Sequence, residues 1–441
     1  MSGENNVLIF NAPLYRTKYD DGEDYLPPLG LGYIVTQLRN NGIQSSLIDC
    51  VYERLGIDEV LEIINKGNFS YVGFNVFSIN LQIIKEILSG IKKTIHVLLG
   101  GKAIEYLWEE IVSYELHLNI NFVIGEAELI LPDIIKGTCN EVPIYKDELN
   151  KVYRINKNSR YYPNDLDSIC LDRIIFKNRE ILNKFGKLEG CLIASRGCIY
   201  ECTFCGGSRI ANPLITPRIR SIQSLEEEIN QMVKISNNLE SIRILDDLFI
   251  RGRSSIINAI DLFNKFPKLS WRCMAHVNSF INNLDLIPMM EKSGCEEIFI
   301  GIESGSEIIR KAIKKVGTVN SIKTVITSLL EGSINVKGYF ICGFPEETEN
   351  QVLETVNLAN FLYEYSLHTP GKFRATAFQF RPYHGTEIYD EIISSGTNCK
   401  YSHLTELVSA KQQYNFTAGN FSLVDDKTLN KYIQKINSLG V

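Results

Sequence analysis

The chain reads as α/β throughout, in two units: a doubly wound parallel sheet over residues 1–136 and a partial (β/α)6 barrel over 190–396. Three observations predict this. Short apolar runs alternate with amphipathic helical patterns from residue 7 to 136, and the alternation resumes at 190. Residues 137–189 lose that period and are rich in Asn, Lys, Tyr and Asp, a linker composition. The second unit then opens on three closely spaced cysteines, Cys198, Cys202 and Cys205.

In the first unit, Val7–Phe10 reads as a buried strand, and a Tyr-, Asp- and Pro-rich loop leads to Pro27-Pro28-Leu29-Gly30. Leu31, Ile34, Val35 and Leu38 fall on one helical face, and Gly42 stops that helix at C′. Strands follow near 45–49, 71–76, 95–99 and 121–124, with helices near 80–93, 102–115 and 127–136. Sheets of this kind bind ligands at the carboxyl ends of their strands. Those ends are Phe77-Ser78, Gly100-Gly101 and Gly125-Glu126-Ala127-Glu128, where glycines let backbone approach a ligand.

The second unit begins with Cys191–Ala194, which delivers Ser195-Arg196-Gly197-Cys198-Ile199-Tyr200-Glu201-Cys202-Thr203-Phe204-Cys205. Three thiolates on one tight loop suit three irons of a four-iron, four-sulfur cluster. A tetrahedral zinc site asks for a fourth Cys or a His, and the next thirty residues contain neither. Such a cluster keeps one iron open for a substrate or cosubstrate. Ser224-x-x-Glu227 reads as a capping box, with Glu226-Glu227-Glu228 as its solvated first turn. Strand two, Ser241–Leu245, ends in Asp246-Asp247-Leu248-Phe249. Strand three, near Ser270–Met274, ends at His276. Strand four, Ile298–Ile302, ends in Glu303-Ser304-Gly305, with Ser304-x-x-Glu307 capping the next helix. Strand five, Val336–Ile341, ends in Cys342-Gly343-Phe344-Pro345, and Thr348-x-x-Gln351 caps the helix after it. Strand six, Ala375–Phe380, ends in Arg381-Pro382-Tyr383-His384-Gly385-Thr386. Reactive groups of a barrel gather at these carboxyl ends. Residues 397–441 read as a helical tail packed on the barrel, with Tyr401, Leu404, Leu407 and Val408 as anchors.

The cysteine spacing with Phe204 resembles the radical S-adenosylmethionine (SAM) superfamily. Asp-Asp-Leu-Phe, Gly-Ile-Glu-Ser-Gly, Cys-Gly-Phe-Pro-Glu-Glu-Thr and Pro-x-x-Gly-Thr, in this order, resemble its cobalamin-type subgroup. Two departures are Glu346, where Gly is usual, and His276, where Arg is common. The first unit resembles the Rossmann-like cobalamin-binding domain of that subgroup. It departs from the wider cobalamin fold in having no His between Asn11 and Pro27. The resemblance implies a 4Fe–4S cluster on Cys198, Cys202 and Cys205. It implies SAM near Phe204, Asp246, Glu303 and Ser304, with Phe204 by the adenine, Glu303 or Ser304 at the ribose and Asp246 toward the methionyl amine. It implies cobalamin against Ser78, Gly100, Gly101, Gly125 and Glu126.

The expected activity is reductive cleavage of SAM to a 5′-deoxyadenosyl radical, used to methylate an unactivated carbon of a natural product or peptide. An alternative is a cobalamin-independent peptide epimerase in which Cys342 gives a hydrogen atom to the substrate radical; a rearrangement is a third. A non-enzymatic Fe–S redox or sensor protein accounts for the cysteines but not for the strand-end motifs. Cys342 also reads as a plain core residue, and the Asp246-Asp247 pair also as a strand-end cap.

Composition sets the remaining bounds. A hydrophobic fraction of 44%, a charged fraction of 22% and a net charge of −6 are those of a globular protein without a basic nucleic-acid footprint. No apolar run reaches membrane-span length, and the first residues lack signal-peptide features. Eleven cysteines in a chain of this length, scattered beyond the motif, indicate a reducing compartment, the cytoplasm. The expected partners are a small-molecule or peptide substrate and an electron donor such as flavodoxin or ferredoxin, with no nucleic acid and no membrane.

Overall fold

A computed structural model describes residues 6–14, 25–213, 216–397 and 419–440. In the first unit β1 (Asn6–Asn11), α1 (Leu29–Asn40), β2 (Gln44–Asp49), α2 (Ile57–Lys66), β3 (Tyr71–Asn75), α3 (Leu81–Gly90), β4 (His96–Gly100), α4 (Ile104–Val112), β5 (Asn119–Ile124) and α5 (Leu131–Lys136) alternate. The near-continuous apolar runs of these strands suit a sheet covered on both faces. Leu8, Phe10, Val72, Phe74 and Leu99 pack toward α2, α3 and α4, while Val7, Ile9 and Leu98 pack toward α1 and α5. α1 ends as expected, with Asn41 as C-cap and Gly42 at φ 76°.

The stretch of linker composition is structured. β6 (Tyr145–Lys146) and β7 (Asn150–Arg154) extend the first sheet to the order β2-β1-β3-β4-β5-β7-β6. β7 runs parallel to β5, and β6 turns back antiparallel on it. Farther along, Leu171 and Phe176 are buried with Leu29, Tyr33 and Cys191, so this stretch forms a bridge of core between the units.

The second unit is β8 (Glu189–Leu192), a short ribbon of β9 (Ser195–Arg196) and β10 (Arg218–Ile219), then α6 (Ile222–Ile235), β11 (Ser241–Ile244), α7 (Arg253–Phe263), β12 (Ser270–Ala275), α8 (Ile287–Lys292), β13 (Cys295–Glu303), α9 (Glu307–Ala312), α10 (Val319–Glu331), β14 (Asn335–Cys342), α11 (Glu349–Leu367), β15 (Phe373–Gln379), α12 (Glu387–Ser394) and α13 (Asp426–Asn437). Its six strands are parallel in the order β8-β11-β12-β13-β14-β15, the partial barrel expected.

Its two faces differ sharply. Ile298, Ile300 and Ile302 of β13, with Trp271, Cys273, Val336 and Phe340, pack against the helices. The alternate positions face the barrel interior, and at its amino-terminal end they form a buried ionic ladder. Arg272 donates to Glu189 (2.7 and 2.5 Å) and to Glu297 (2.9 Å), and Arg374 donates to Glu297 (2.6 and 2.8 Å). The Arg243 and Arg272 guanidiniums lie over Phe299, 4.7 and 5.3 Å from its centroid. The ladder closes the floor of the barrel.

α13 seals the free edge of β15. Asn437 accepts from Ala377 N–H (2.6 Å) and donates to Ala377 C=O (3.1 Å), and Leu439 C=O accepts from Ala375 N–H (3.1 Å). Leu429 and Ile436 anchor this helix in the core; the expected anchors Tyr401, Leu404, Leu407 and Val408 lie outside the described residues.

Three local readings change. α6 starts one turn early, on Ser221, whose side chain accepts from Ser224 N–H (3.1 Å). Glu228 therefore falls beyond the first turn and is buried, taking Arg173 (3.1 Å) and Arg220 (2.5 Å). α9 has Ser306, not Ser304, at its N-cap position, and no side-chain bond caps it. The Thr348–Gln351 box forms as read. Among the described residues no helix is long and apolar enough to cross a membrane.

Candidate active site

The cysteine loop leaves β9 through Gly197 (φ 87°) and is held from both sides. Thr203 N–H donates to Ile313 C=O (3.2 Å), Thr203 C=O accepts from Ile388 N–H (3.2 Å), and Arg209 N–H donates to Tyr200 C=O (2.8 Å). Burial pushes all three thiols up, Cys205 to about 12, and the nearby Lys315 ammonium opposes that rise at each. Among the described residues no three His, Cys, Asp or Glu side chains converge on a single ion. A four-iron cluster asks for something else, since each thiolate takes its own iron and the sulfurs stand apart. Three thiols on one braced loop beside a buried cation fit that group. Phe204 turns into an aromatic wall with Phe344 (5.6 Å, edge-on) and Phe380.

Around the loop the strand ends bring further charge. Asp246 is buried, its carboxylate accepting from Ala194 N–H (2.8 Å) and Ser195 Oγ (2.5 Å). Burial pushes its pKa up to about 6. Arg251 donates to the same Ser195 Oγ (2.6 Å). Asp246 thus braces the strand that delivers the cysteines. Its neighbour Asp247 is exposed toward the loop, within reach of the charges of Lys102 and Arg251. Glu303 sits in the left-handed region (φ 64°), at a bulge where β13 slips against β14, and pairs with Lys315 (3.0 Å). Ser304 points the other way. It is buried against α11, its Oγ 3.2 Å from Thr355 Oγ1 and accepting from Ser306 N–H (3.1 Å), so of the Glu303–Ser304 pair only Glu303 faces the site. Cys342 is fully buried on the helix-facing side of β14, with Val336 and Phe340. Its thiol faces away from the barrel interior, which removes the geometric support for its use as a hydrogen donor.

A second feature adjoins the loop. A cavity of about 620 Å³ opens at the carboxyl ends of β1, β3, β4 and β5, as expected for an open α/β sheet. Gly100, Gly101, Gly125 and Glu126 line it, while Ser78 does not; its neighbours Phe77 and Ile79 do. Ser78 Oγ lies 2.9 Å from His384 Nδ1, joining the two units. The glycines serve two ends. A Cβ on Gly101 would meet Val76 C=O at 2.6 Å and one on Gly125 would meet Ile155 C=O at 2.4 Å, so both are required by neighbouring backbone. At Gly30 a Cβ meets nothing within 4 Å, leaving bare backbone toward the cavity. Among the described residues the walls are mainly aliphatic and contain no His or Cys. The residues fit a large ligand held by backbone and apolar contact, and they offer its metal no imidazole.

Arg196 joins the two features. It lines the cavity, stands two residues before Cys198, and pairs with Glu128 (2.7 Å) and Glu126 (3.3 Å). Glu126 is also held by Arg218 (2.6 and 2.9 Å), so its carboxylate is engaged across the domain boundary. Lys102, directly after Gly100-Gly101, donates to Ala211 C=O (2.8 Å) and to Asn212 just past the cysteines. Sequence reading missed Arg196, Lys102, Arg251 and Lys315. Two carried a signal, since Arg196 abuts the motif and Lys102 follows a glycine pair; nothing local distinguishes Lys315 from Lys314.

Residues 192–359 match the Radical SAM superfamily and residues 21–135 the B12 binding domain. The chain thus carries a radical SAM domain preceded by a B12-binding domain. An uncharacterized methyltransferase of Pyrococcus horikoshii is 25% identical over 383 residues, 84% of this chain and 79% of that one. Among solved structures, the radical SAM methyltransferase TsrM of Kitasatospora setae, with cobalamin and a 4Fe-4S cluster bound, superposes with a TM-score of 0.70 at 15% identity, over 99% of this chain and 91% of that one. The cobalamin-dependent SAM radical enzyme OxsB gives 0.67 at 18% identity, over 98% of this chain and 66% of that one. At these identities the structures attest to the fold.

Proposed function

We propose that the protein is a cobalamin-dependent radical SAM C-methyltransferase acting on an unactivated carbon of a small natural product or a peptide. The observation that carries this is the continuity of the two sites: the cavity expected to hold cobalamin shares Arg196 with the loop that bears Cys198. When bound, the cluster supplies the electron that cleaves SAM, and cobalamin carries the methyl group; the protein orients both.

Cys198, Cys202 and Cys205 hold the cluster. Asp246 and Arg251 fix the strand behind it through Ser195. Phe204, Phe344 and Phe380 exclude water on one side. Asp247 and Glu303 present carboxylates to a cosubstrate at the open iron. The ion pairs of Arg196 and Arg218 with Glu126 and Glu128 keep the two cofactor sites in register. The reading places the enzyme in a reducing cytoplasm with a low-potential donor such as flavodoxin or ferredoxin, in keeping with ten free thiols among the described residues.

The test is the cofactor content of protein made anaerobically with cobalamin supplied, together with release of 5′-deoxyadenosine from SAM. Bound cobalamin, an Fe–S cluster and methylated product are expected. Cys202→Ser is expected to abolish deoxyadenosine release and most of the iron. A cluster and SAM cleavage without bound cobalamin would overturn the methyl-transfer reading, and no SAM cleavage at all would leave an Fe–S redox or sensor protein.

A further inference from the structure

Two adjacent lysines follow α9 and meet opposite fates. Lys314 (φ 52°) turns outward to Glu387 (2.7 Å), whereas Lys315 turns inward, is only 9% exposed, and pairs with Glu303, also 9% exposed. The fold makes room for this inner pair at some cost. A Cβ on residue 301 would lie 2.3 Å from Glu303 Oε1 and 3.1 Å from Lys315 Nζ, so Gly301 leaves the space they fill. Glu303 is held in the left-handed region at the bulge between β13 and β14, a conformation that a non-glycine residue adopts only against strain. A buried ion pair is weak as a stabilising device, because desolvation offsets its attraction. Strain, a dedicated glycine and a buried pair at one strand end call for another explanation.

The position of the pair supplies one. Its turn is bonded to the cluster loop, since Thr203 N–H donates to Ile313 C=O (3.2 Å), two residues before Lys315. The Lys315 charge thus stands beside the loop that carries Cys198, Cys202 and Cys205, with Glu303 as its buried partner. The nearby His276 does not share this work. Its Nδ1 accepts from Asn278 N–H (3.1 Å), and burial beside Lys315 and Arg310 holds it neutral, with its pKa lowered to about 3.

We propose that Lys315 and Glu303 form a charge couple that sets the reduction potential of the cluster, Lys315 raising it and Glu303 lowering it. The redox step is the entry of one electron from a low-potential reductant. One ferric iron becomes ferrous, no bond forms or breaks, and the cluster gains one negative charge. In a water-poor site a fixed cation stabilises that added charge and a fixed anion opposes it.

This inference rests on the cluster proposed above, and the experiment separates the two. Full-length reconstituted protein without SAM is titrated with dithionite, and the reduced cluster is followed by electron paramagnetic resonance. Lys315→Met is expected to shift the midpoint to lower potential, Glu303→Gln to higher, and Lys315→Arg to leave it near wild type. Opposite shifts from the two partners are not what loss of a structural contact produces, because breaking the pair from either side would then act alike. Coincident midpoints, or shifts of one sign, overturn the inference. Where Lys315→Met fails to assemble a cluster, Glu303→Gln decides alone: a rise supports the couple, and no change or a fall refutes it. A wild-type protein with no reducible cluster would instead overturn the proposed function.

Discussion

Glu347 is fully buried, and one carboxylate oxygen accepts from Gly343 N–H (2.6 Å) and Phe344 N–H (3.1 Å) while the other has no partner among the described residues. Burial pushes its carboxyl up to about 7. A group whose folded pKa is raised binds more protons folded than unfolded, so its stability contribution is present in acid and lost as pH rises through that value. Stability is therefore expected to fall by about 3 kcal/mol between the ordinary carboxylate range and pH 7 on this account. Urea unfolding as a function of pH checks it: Glu347→Gln should remove that slope, and an unchanged slope would refute the assignment. At this scale the sequence was legible where chemistry needs a spaced motif, as with the cysteines. It was less legible where two neighbours compete. Strand alternation holds from Glu297 through Phe299 to Gly301, but the bulge at Glu303 breaks the period there, so the chain alone did not say which of Glu303 and Ser304 faces the site. The same alternation puts Cys342 with Phe340 on the helix side.

Among the elements, the strands of both sheets were readable because each is a short apolar run between turn residues. β7 was not, since Asn150-Lys151-Val152-Tyr153-Arg154 is mostly polar and lies near a sheet edge, where only two side chains are fully buried. The ionic ladder was hidden for a related reason. Arg272 and Glu297 lie on strands that otherwise read as core, and only the closure of six strands brings Glu189, Arg272, Glu297 and Arg374 together. Removing Arg272 strands two buried carboxylates, only one of which keeps another arginine. Arg272→Met is expected to cost roughly 3–5 kcal/mol, the usual penalty for breaking a buried pair from one side. Chemical denaturation reads this, and a loss below about 1 kcal/mol would mean that water reaches the barrel floor.

Across the whole molecule, the two units are fastened by polar contacts as much as by core. Asp49, wholly buried, takes Tyr25 (2.5 Å) and Arg179 (2.5 Å), Arg220 reaches both Tyr33 (3.2 Å) and Glu228, and Glu126 holds Arg218 and Arg196. None of this is encoded by spacing, because the partners are far apart in sequence and meet only after both sheets exist. Glu126→Gln takes the carboxylate from the buried Arg218 and leaves the partly buried Arg196 with Glu128 alone, and truncating one partner of such a pair costs about 2–5 kcal/mol. The expected outcome is faster proteolytic cutting between residues 137 and 189 together with weaker cobalamin retention. Unchanged cutting and retention would show that the apolar bridge around Phe176 suffices.

The strand order of the second sheet has a consequence for its synthesis. β8, β11, β12, β13, β14 and β15 lie side by side in the order in which they leave the ribosome. Each new strand finds its single neighbour already in place, and the unsatisfied edge moves outward one strand at a time. The last edge waits for α13, and at about 5–20 residues per second the stretch between β15 and α13 is made in roughly 2–9 s. For those seconds β15 offers an open row of peptide groups to any other nascent strand. The helix that covers it thus protects the newborn chain from its neighbours on the polysome, and ribosomes stalled just before it should yield the most aggregation-prone product.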